Sequence, residues 1–208
     1  MIKNDTRHLL TYQEGFYKDL ESVLTVNSGD RFQIEVTVGD RIATAETVVP
    51  SATNGLALSN NTMVIPPIKF SLNLLNELNQ LFFNVRITAN WENSAEELYF
   101  VVAEYVDDAP DPLFPEGFPQ EGIDFLSSFR FLPETTRADT FEIIGLAFEN
   151  YGLHKATVYR VNQEYADLFD NQEQDSRDLT EPPSNVINGF GIFTSFAADS
   201  VFFNIVRQ

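Results

Sequence analysis

The sequence predicts an all-β fold carrying one short helix. Three observations predict it. Nineteen Phe and seven Tyr stand against one Trp and two Met, and aromatic rings favour the pleated, half-buried surface of a sheet. Apolar and polar residues alternate in several short runs, the period of a half-buried strand. Clusters of Gly, Pro, Asn and Asp punctuate those runs, as in chains of many strands.

The clearest strand is RFQIEVTV, residues 31–38. Phe32, Ile34, Val36 and Val38 share one face; Arg31, Gln33, Glu35 and Thr37 share the other. Gly39-Asp40 supplies a two-residue turn, because Gly tolerates the positive φ such a hairpin needs. RIATAETVV, 41–49, returns as the partner strand and stops at Pro50. Upstream, EGFYKDL reads as a turn and a short strand. Three strands over 1–49 are too few to close a sandwich. Residues 50–67, rich in Pro, Ser, Asn and Gly and ending in Pro66-Pro67, read as a linker.

The stretch IKFSLNLLNELNQLFFNVRITANW carries two periods. Leu72, Leu75 and Leu78 have helical spacing, while Phe70, Leu72 and Leu74 have strand spacing. Phe83, Val85, Ile87 and Ala89 then alternate with Asn84, Arg86, Thr88 and Asn90, and Asn76-Glu77 offers a turn between the halves. The expectation is strand–turn–strand. ELYFVVAEYV, 97–106, is nearly continuously apolar and reads as a central strand. Residues 107–124 hold four prolines, two glycines and six acids, an irregular loop. TFEIIGLAFE and HKATVYRV read as two strands joined near Asn150 and Gly152. NQEYADLFDNQ, 162–172, is the helix: Asn162 is placed to cap it, and Tyr165, Leu168 and Phe169 form an apolar stripe. SVFFNIVRQ is the last strand.

Before that strand stands EPPSNVINGFGIFTSF, 181–196. Pro182-Pro183 cannot join a central ladder. Asn188-Gly189 signals a tight turn, and Gly191 leaves room for a close neighbour. Ile192, Phe193 and Phe196 are expected in the core, on a strand that leads into a closing hairpin with 200–206. The Gly-Phe-Gly is no phosphate loop, since no Lys-Ser/Thr follows it.

Composition excludes several functions. The net charge of -18 repels nucleic acid and anionic lipid. With no cysteine there is no disulfide, thiolate metal site or cysteine nucleophile. No run of about 18 apolar residues is present to span a membrane as a helix, and the start, MIKNDTRHLLTYQ, has no signal-peptide core. His8 and His154 are the only histidines. Neither sits in a nucleophile motif, and His154 reads as a surface or turn residue. Two separated histidines also argue against zinc. No cofactor and no catalytic residue is implied. Asp107, Asp108 and Asp111 are a weak calcium candidate, since calcium takes roughly six to eight oxygen ligands; the other reading is a solvated acidic loop. Leu113, Phe114, Phe118 and Phe125 in the same region are candidates for a partner-binding surface. They are equally suited to folding back as a cap on the sheet.

Two groups of residues carry a family resemblance. The first is Glu164-Tyr165, Pro182-Pro183, Asn185-Val186, Asn188-Gly189 and Gly191-Ile192-Phe193. The second is Glu14 to Tyr17, then the run Ser28 to Val36, then Ala45 to Pro50. Their order and spacing resemble an uncharacterised family of Bacteroidota outer-membrane lipoproteins, known as a domain of unknown function. Phe32 departs from the usual Tyr, and Phe193 to Phe196 depart from the usual Phe-Gly/Ala-x-Tyr. The resemblance implies a chain shortened at its N-terminus, without the lipoprotein signal, the lipidated cysteine and the first strands. It implies a cell-envelope location, with membrane contact only through a lipid anchor missing from this chain. It also implies a non-catalytic accessory role beside a TonB-dependent outer-membrane β-barrel receptor, in capture or uptake. The alternative is a module that binds glycan or peptide alone. The expected organisation is an incomplete immunoglobulin-like sheet with linker over 1–66 and a larger antiparallel β-sandwich with the short helix over 67–208.

Overall fold

The computed structural model describes residues 1–20, 23–69, 74–119, 121, 135–170 and 183–208. The first six strands are β1 (Ile2–Lys3), β2 (Thr6–Arg7), β3 (Thr11–Gln13), β4 (Phe16–Lys18), β5 (Arg31–Val38) and β6 (Arg41–Val48). Then come β7 (Asn54–Leu58), β8 (Thr62–Ile65), helix α1 (Leu74–Phe83), β9 (Arg86–Glu92), β10 (Leu98–Tyr105) and β11 (Asp111–Pro112). The chain continues through β12 (Thr140–Ile144), a 3-10 turn (Gly145–Ala147), β13 (Asn150–Val161), helix α2 (Gln163–Asp170) and β14 (Phe196–Arg207). The described chain is largely antiparallel β-sheet with few short helices, as the alternation predicts.

These elements form two compact units. One holds Met1–Ala52 with Arg160–Ala197; the other holds Thr53–Tyr159 with Ala198–Gln208. The division differs from a break at residue 66, because the segment 160–197 belongs with the N-terminal strands. Strand pairing assembles residues distant in sequence, which linear composition does not display.

The first unit contains a four-stranded sheet in the order β2-β1-β5-β6. β5 and β6 pair in the expected register, from Arg31 opposite Val48 to Val38 opposite Arg41. Gly39 turns between them at φ +63°. Phe32, Ala45 and Thr47 on one face are buried. Further along that face Val36 and Val38 are exposed. β3 and β4 form a separate hairpin whose turn residues Glu14 and Gly15 both have positive φ, 52° and 86°. Both positive values define the turn type that matches strand twist.

Lys3 ties β1 to the loop before β5. Its Nζ lies 2.7 Å from the Asp30 carboxylate and 5.8 Å from the centre of the Phe32 ring. The hydrogen bond from Lys3, then the backbone N–H of Asn27, hold the Asp30 carboxyl below its ordinary 3.8. A carboxyl that titrates lower when folded adds stability above its unfolded pKa. That stability is lost as pH falls through the folded value. Asp30→Asn is therefore expected to be less stable than the parent at neutral pH. The gap should close on acidification below the ordinary aspartate range, as read by denaturant melts across pH.

The second unit contains a sheet in the order β10-β13-β14-β8, with β11 on β13, and a three-stranded sheet in the order β12-β9-β7. Thr157 meets Ser200 and Arg207 meets the Tyr151 ring, the sequence of contacts of an antiparallel β13–β14 pair. β8 joins β14 in parallel. Inward residues of both sheets merge in one core: Ile87, Ala89 and Trp91 from β9, Tyr99, Val101 and Ala103 from β10, with Met63, Ile65, Val158 and Phe203.

Several expectations are corrected here. Residues 50–67 are not a bare linker, since β7 and β8 lie within them. Their alternations are short: Met63 and Ile65 are buried while Val64 is exposed. Within 68–91, Leu74–Phe83 is helix rather than strand and turn; Phe70 and Leu72 lie outside the described residues. Leu81 is buried in the core, with Leu74 and Leu78 packed against it, so the i, i+4, i+7 stripe prevails over the period of two. Among the described residues β10 stands at the end of its sheet's order, with the Tyr99–Thr136 bridge on its other side. Its apolar run is used on two faces: Tyr99, Val101 and Ala103 point inward, and Phe100 stacks on Tyr159 at 4.7 Å. The joint after β12 is the turn at Gly145–Ala147, and β13 already starts at Asn150. Gly152 lies inside β13 at φ +113°. It shifts the inward positions from Tyr151 to His154, Ala156 and Val158, the signature of a bulge. β14 is one continuous strand, so the closing hairpin with 200–206 does not form.

Candidate functional site

Three of the four aromatic and aliphatic candidates on the acidic loop turn inward. Leu113 and Phe114 are 3% and 7% exposed. Phe118 packs against the core, its ring 4.9 Å from that of Phe114. Of the two readings open for them, these contacts match the cap on the sheet. Phe125 lies outside the described residues.

Two of the three calcium candidates are drawn into other bonds. Asp107 accepts the Leu153 N–H at 2.6 Å. Asp111 receives both guanidinium nitrogens of Arg207, at 2.7 and 2.5 Å. Asp108 is exposed. Among the described residues no group of three or more His, Cys, Asp or Glu is placed to hold a metal ion.

His154 is not a surface residue. It is 2% exposed, with the rings of Phe148, Tyr105 and Phe203 at 4.8, 5.3 and 5.4 Å. Its Nδ1 stands 3.1 Å from the Gly152 carbonyl. A carbonyl only accepts, so Nδ1 carries the proton. This is a core histidine, buried because the Gly152 bulge turns position 154 inward.

The strongest surface feature is the loop 184–193 of the first unit. Its sequence is dense in side chains that bond backbone. The Ser184 hydroxyl accepts the N–H groups of Val186 and Gly191, each at 3.2 Å, and donates to the Gly191 carbonyl at 3.0 Å. Asn185 clamps Phe193 from both sides: its Nδ2 donates to the Phe193 carbonyl at 2.7 Å and its Oδ1 accepts the Phe193 N–H at 2.9 Å. Asn188, at φ +60°, makes the expected turn. Gly191 is required by its φ of +140° rather than by crowding, since a Cβ there would meet only Val186 at 3.8 Å. The loop is then stitched to the outer edge of β6. Ile187 and Thr44 exchange backbone bonds at 3.1 and 2.8 Å, and Asn188 Nδ2 reaches the Ile42 carbonyl at 3.3 Å.

Further along that edge, Asn162 and Ser195 both donate to the Val48 carbonyl at 3.0 Å. Asn162 occupies the capping position, and its own carbonyl accepts the N–H groups of Tyr165 and Ala166. Its side-chain amide, however, goes to Val48 and to Thr47 Oγ1 at 3.0 Å rather than to the helix. Thr47 Oγ1 also lies 3.1 Å from Ser195 Oγ and 3.3 Å from Glu164 Oε1. The side chains of Asn162, Asn188 and Ser195 thus cover an edge strand, the usual protection against unwanted pairing.

This fixed loop shows two apolar side chains to solvent. Phe190 is 77% exposed and Ile187 65%. Ile192 and Phe193 are only half-buried and Phe196 is exposed, so the expected core positions are not core. On the same unit the hairpin β3–β4 exposes Tyr12, Phe16 and Tyr17, with the two tyrosine rings 5.2 Å apart. Sequence reading named its partner-surface candidates at Leu113, Phe114, Phe118 and Phe125 and did not single out these exposed residues. The available signal was Phe190 set between two glycines.

Asn185→Ala removes both bonds of the clamp and is expected to cost about 1–2 kcal/mol, since each net hydrogen bond contributes about 1 kcal/mol. Limited proteolysis should then cut within 184–193 faster than in the parent.

No protein-family model, curated protein or solved structure matches this chain.

Proposed function

We propose that this chain is a non-catalytic binding protein of the cell envelope, whose N-terminal unit docks a protein partner through the 184–193 loop. The observation that carries the reading is Phe190: a largely exposed ring on a loop held by Ser184, Asn185 and the Thr44–Ile187 bridge. An aromatic anchor on a pre-ordered loop loses little conformational entropy on binding, and such anchors dominate interface energy. The motif resemblance supports a TonB-dependent outer-membrane receptor as that partner, and an incomplete immunoglobulin-like character for the N-terminal sheet. A glycan platform built on Phe114 is not proposed, because that ring is buried.

The test compares Phe190→Ser with Phe202→Ser, which alters an exposed ring of the second unit. Co-purification of an outer-membrane β-barrel should fall about tenfold or more with Phe190→Ser, the loss of a typical anchor, and stay unchanged with Phe202→Ser. Equal retention by both variants contradicts the reading.

A further inference from the structure

The cover on the outer edge of β6 has a gap. Thr44 and Ile187 bond in antiparallel register at one end, and Asn162 and Ser195 hold the Val48 carbonyl at the other. Alternate residues of a strand turn their backbone groups to the same edge, so Glu46 and Val48 face outward as Thr44 does. Continued in its register, the loop would set Asn185 opposite Glu46. It turns away instead: the Asn185 N–H goes to the Gly191 carbonyl at 3.3 Å and its side chain to Phe193. Among the described residues, the Glu46 N–H, the Glu46 carbonyl and the Val48 N–H thus stand in that order along the edge without a hydrogen-bond partner.

A cleft of about 270 Å³ opens at this gap, lined by Glu46, Thr47, Val48, Asn162 and Glu164. A water's share of liquid volume is about 30 Å³, so one ordered water does not fill it. Two carboxylates wall it. Arg31 holds Glu46 Oε2 at 3.2 Å from the β5 side, and Glu164 Oε1 lies 3.3 Å from the Thr47 hydroxyl. Thr47 is buried and is itself held by Asn162 and Ser195, so the acid at 164 is positioned by fixed groups. The second oxygen of each carboxylate has no partner among the described residues.

We propose that this gap binds a short extended stretch of a partner peptide, with a lysine or arginine opposite Glu46. The order donor, acceptor, donor is that of a strand edge, and a peptide backbone supplies its complement. The residue opposite Glu46 exchanges two backbone bonds with it, and the residue two positions before offers its carbonyl to the Val48 N–H. Directly opposed side chains share a face, so the basic group lies beside Glu46, in the cleft that Glu164 also lines. Opposite charges at such a pair attract and like charges repel. The net charge of -18 favours the same sign of partner at long range. This site does not use Phe190, so either reading can fail without the other.

The test is a titration of the whole isotope-labelled chain with the capped peptide acetyl-Thr-Val-Lys-Val-Thr-amide, followed by NMR. The same peptide with glutamate at its centre is the comparison. The amide signals of Glu46 and Val48 should move most on adding the lysine peptide, and binding should weaken as salt is raised. The glutamate peptide should bind about tenfold more weakly, since it exchanges an attractive cross-strand pair for a repulsive one. Glu46→Gln alters an exposed side chain; it should lose most of that preference while melting like the parent. Phe190→Ser should bind the lysine peptide as the parent does. Equal binding of the two peptides, or unmoved Glu46 and Val48 signals at millimolar lysine peptide, overturns the proposal.

Discussion

Gly152→Ala is expected to lower the stability of the second unit by about 3 kcal/mol, through two separable effects. Gly152 has φ +113°, a conformation that costs a non-glycine residue about 1–3 kcal/mol. The added methyl group also meets the Asp107 carboxylate, and stands 3.3 Å from the Tyr105 ring. Asp107 can swing aside only by releasing the Leu153 N–H, a bond to a charged group contributing about 1.5–3 kcal/mol. A double-mutant cycle separates the two. In an Asp107→Ala background the further cost of Gly152→Ala should shrink to the backbone part alone. Equal costs in both backgrounds would show that the carboxylate contact contributes nothing.

His154→Ala is expected to cost a similar amount, about 3–4 kcal/mol, the range for truncating a buried ring. The imidazole fills a space bounded by Phe148, Tyr105 and Phe203, and alanine leaves that space empty. His154→Phe keeps the ring contacts and gives up the bond to the Gly152 carbonyl. It should cost clearly less than the alanine variant in the same melts. A phenylalanine variant as unstable as the alanine one would assign the main role to the hydrogen bond rather than to packing.

The hairpin of β5 and β6 was legible in the sequence because two independent signals agree there: strict alternation from Phe32 to Val38, and a glycine at the turn. Helix α2 was legible for a related reason, a polar capping residue ahead of a single apolar stripe. α1 was not, since Leu74 belongs to both a period of two and the helical set with Leu78 and Leu81. Only the burial of Leu81 against strands distant in sequence decides between them. β7 and β8 were hidden because they are only five and four residues long, with few inward apolar positions, and are flanked by Asn and Ser. His154 and Phe114 show the same limit at single positions. Composition makes histidine polar and a proline-rich loop exposed, whereas a bulge at Gly152 and the return of the chain onto the sheet bury both. The converse holds at the candidate site. Ile192, Phe193 and Phe196 are expected in the core from the sequence, but the bonds of Ser184 and Asn185 fix the loop before them along the edge of β6, with Phe190 exposed. None of those bonds is visible until the chain has folded.

The partner reading rests on Phe190, and a photo-crosslinking residue placed at that position tests it most directly. Installed at 190 in living cells, the probe should yield one discrete crosslinked species of much higher mass, containing an outer-membrane β-barrel. The same probe at the exposed position 202 should yield none. Equal crosslinking from both positions, or no adduct at 190 in protein shown to be folded, would contradict the account.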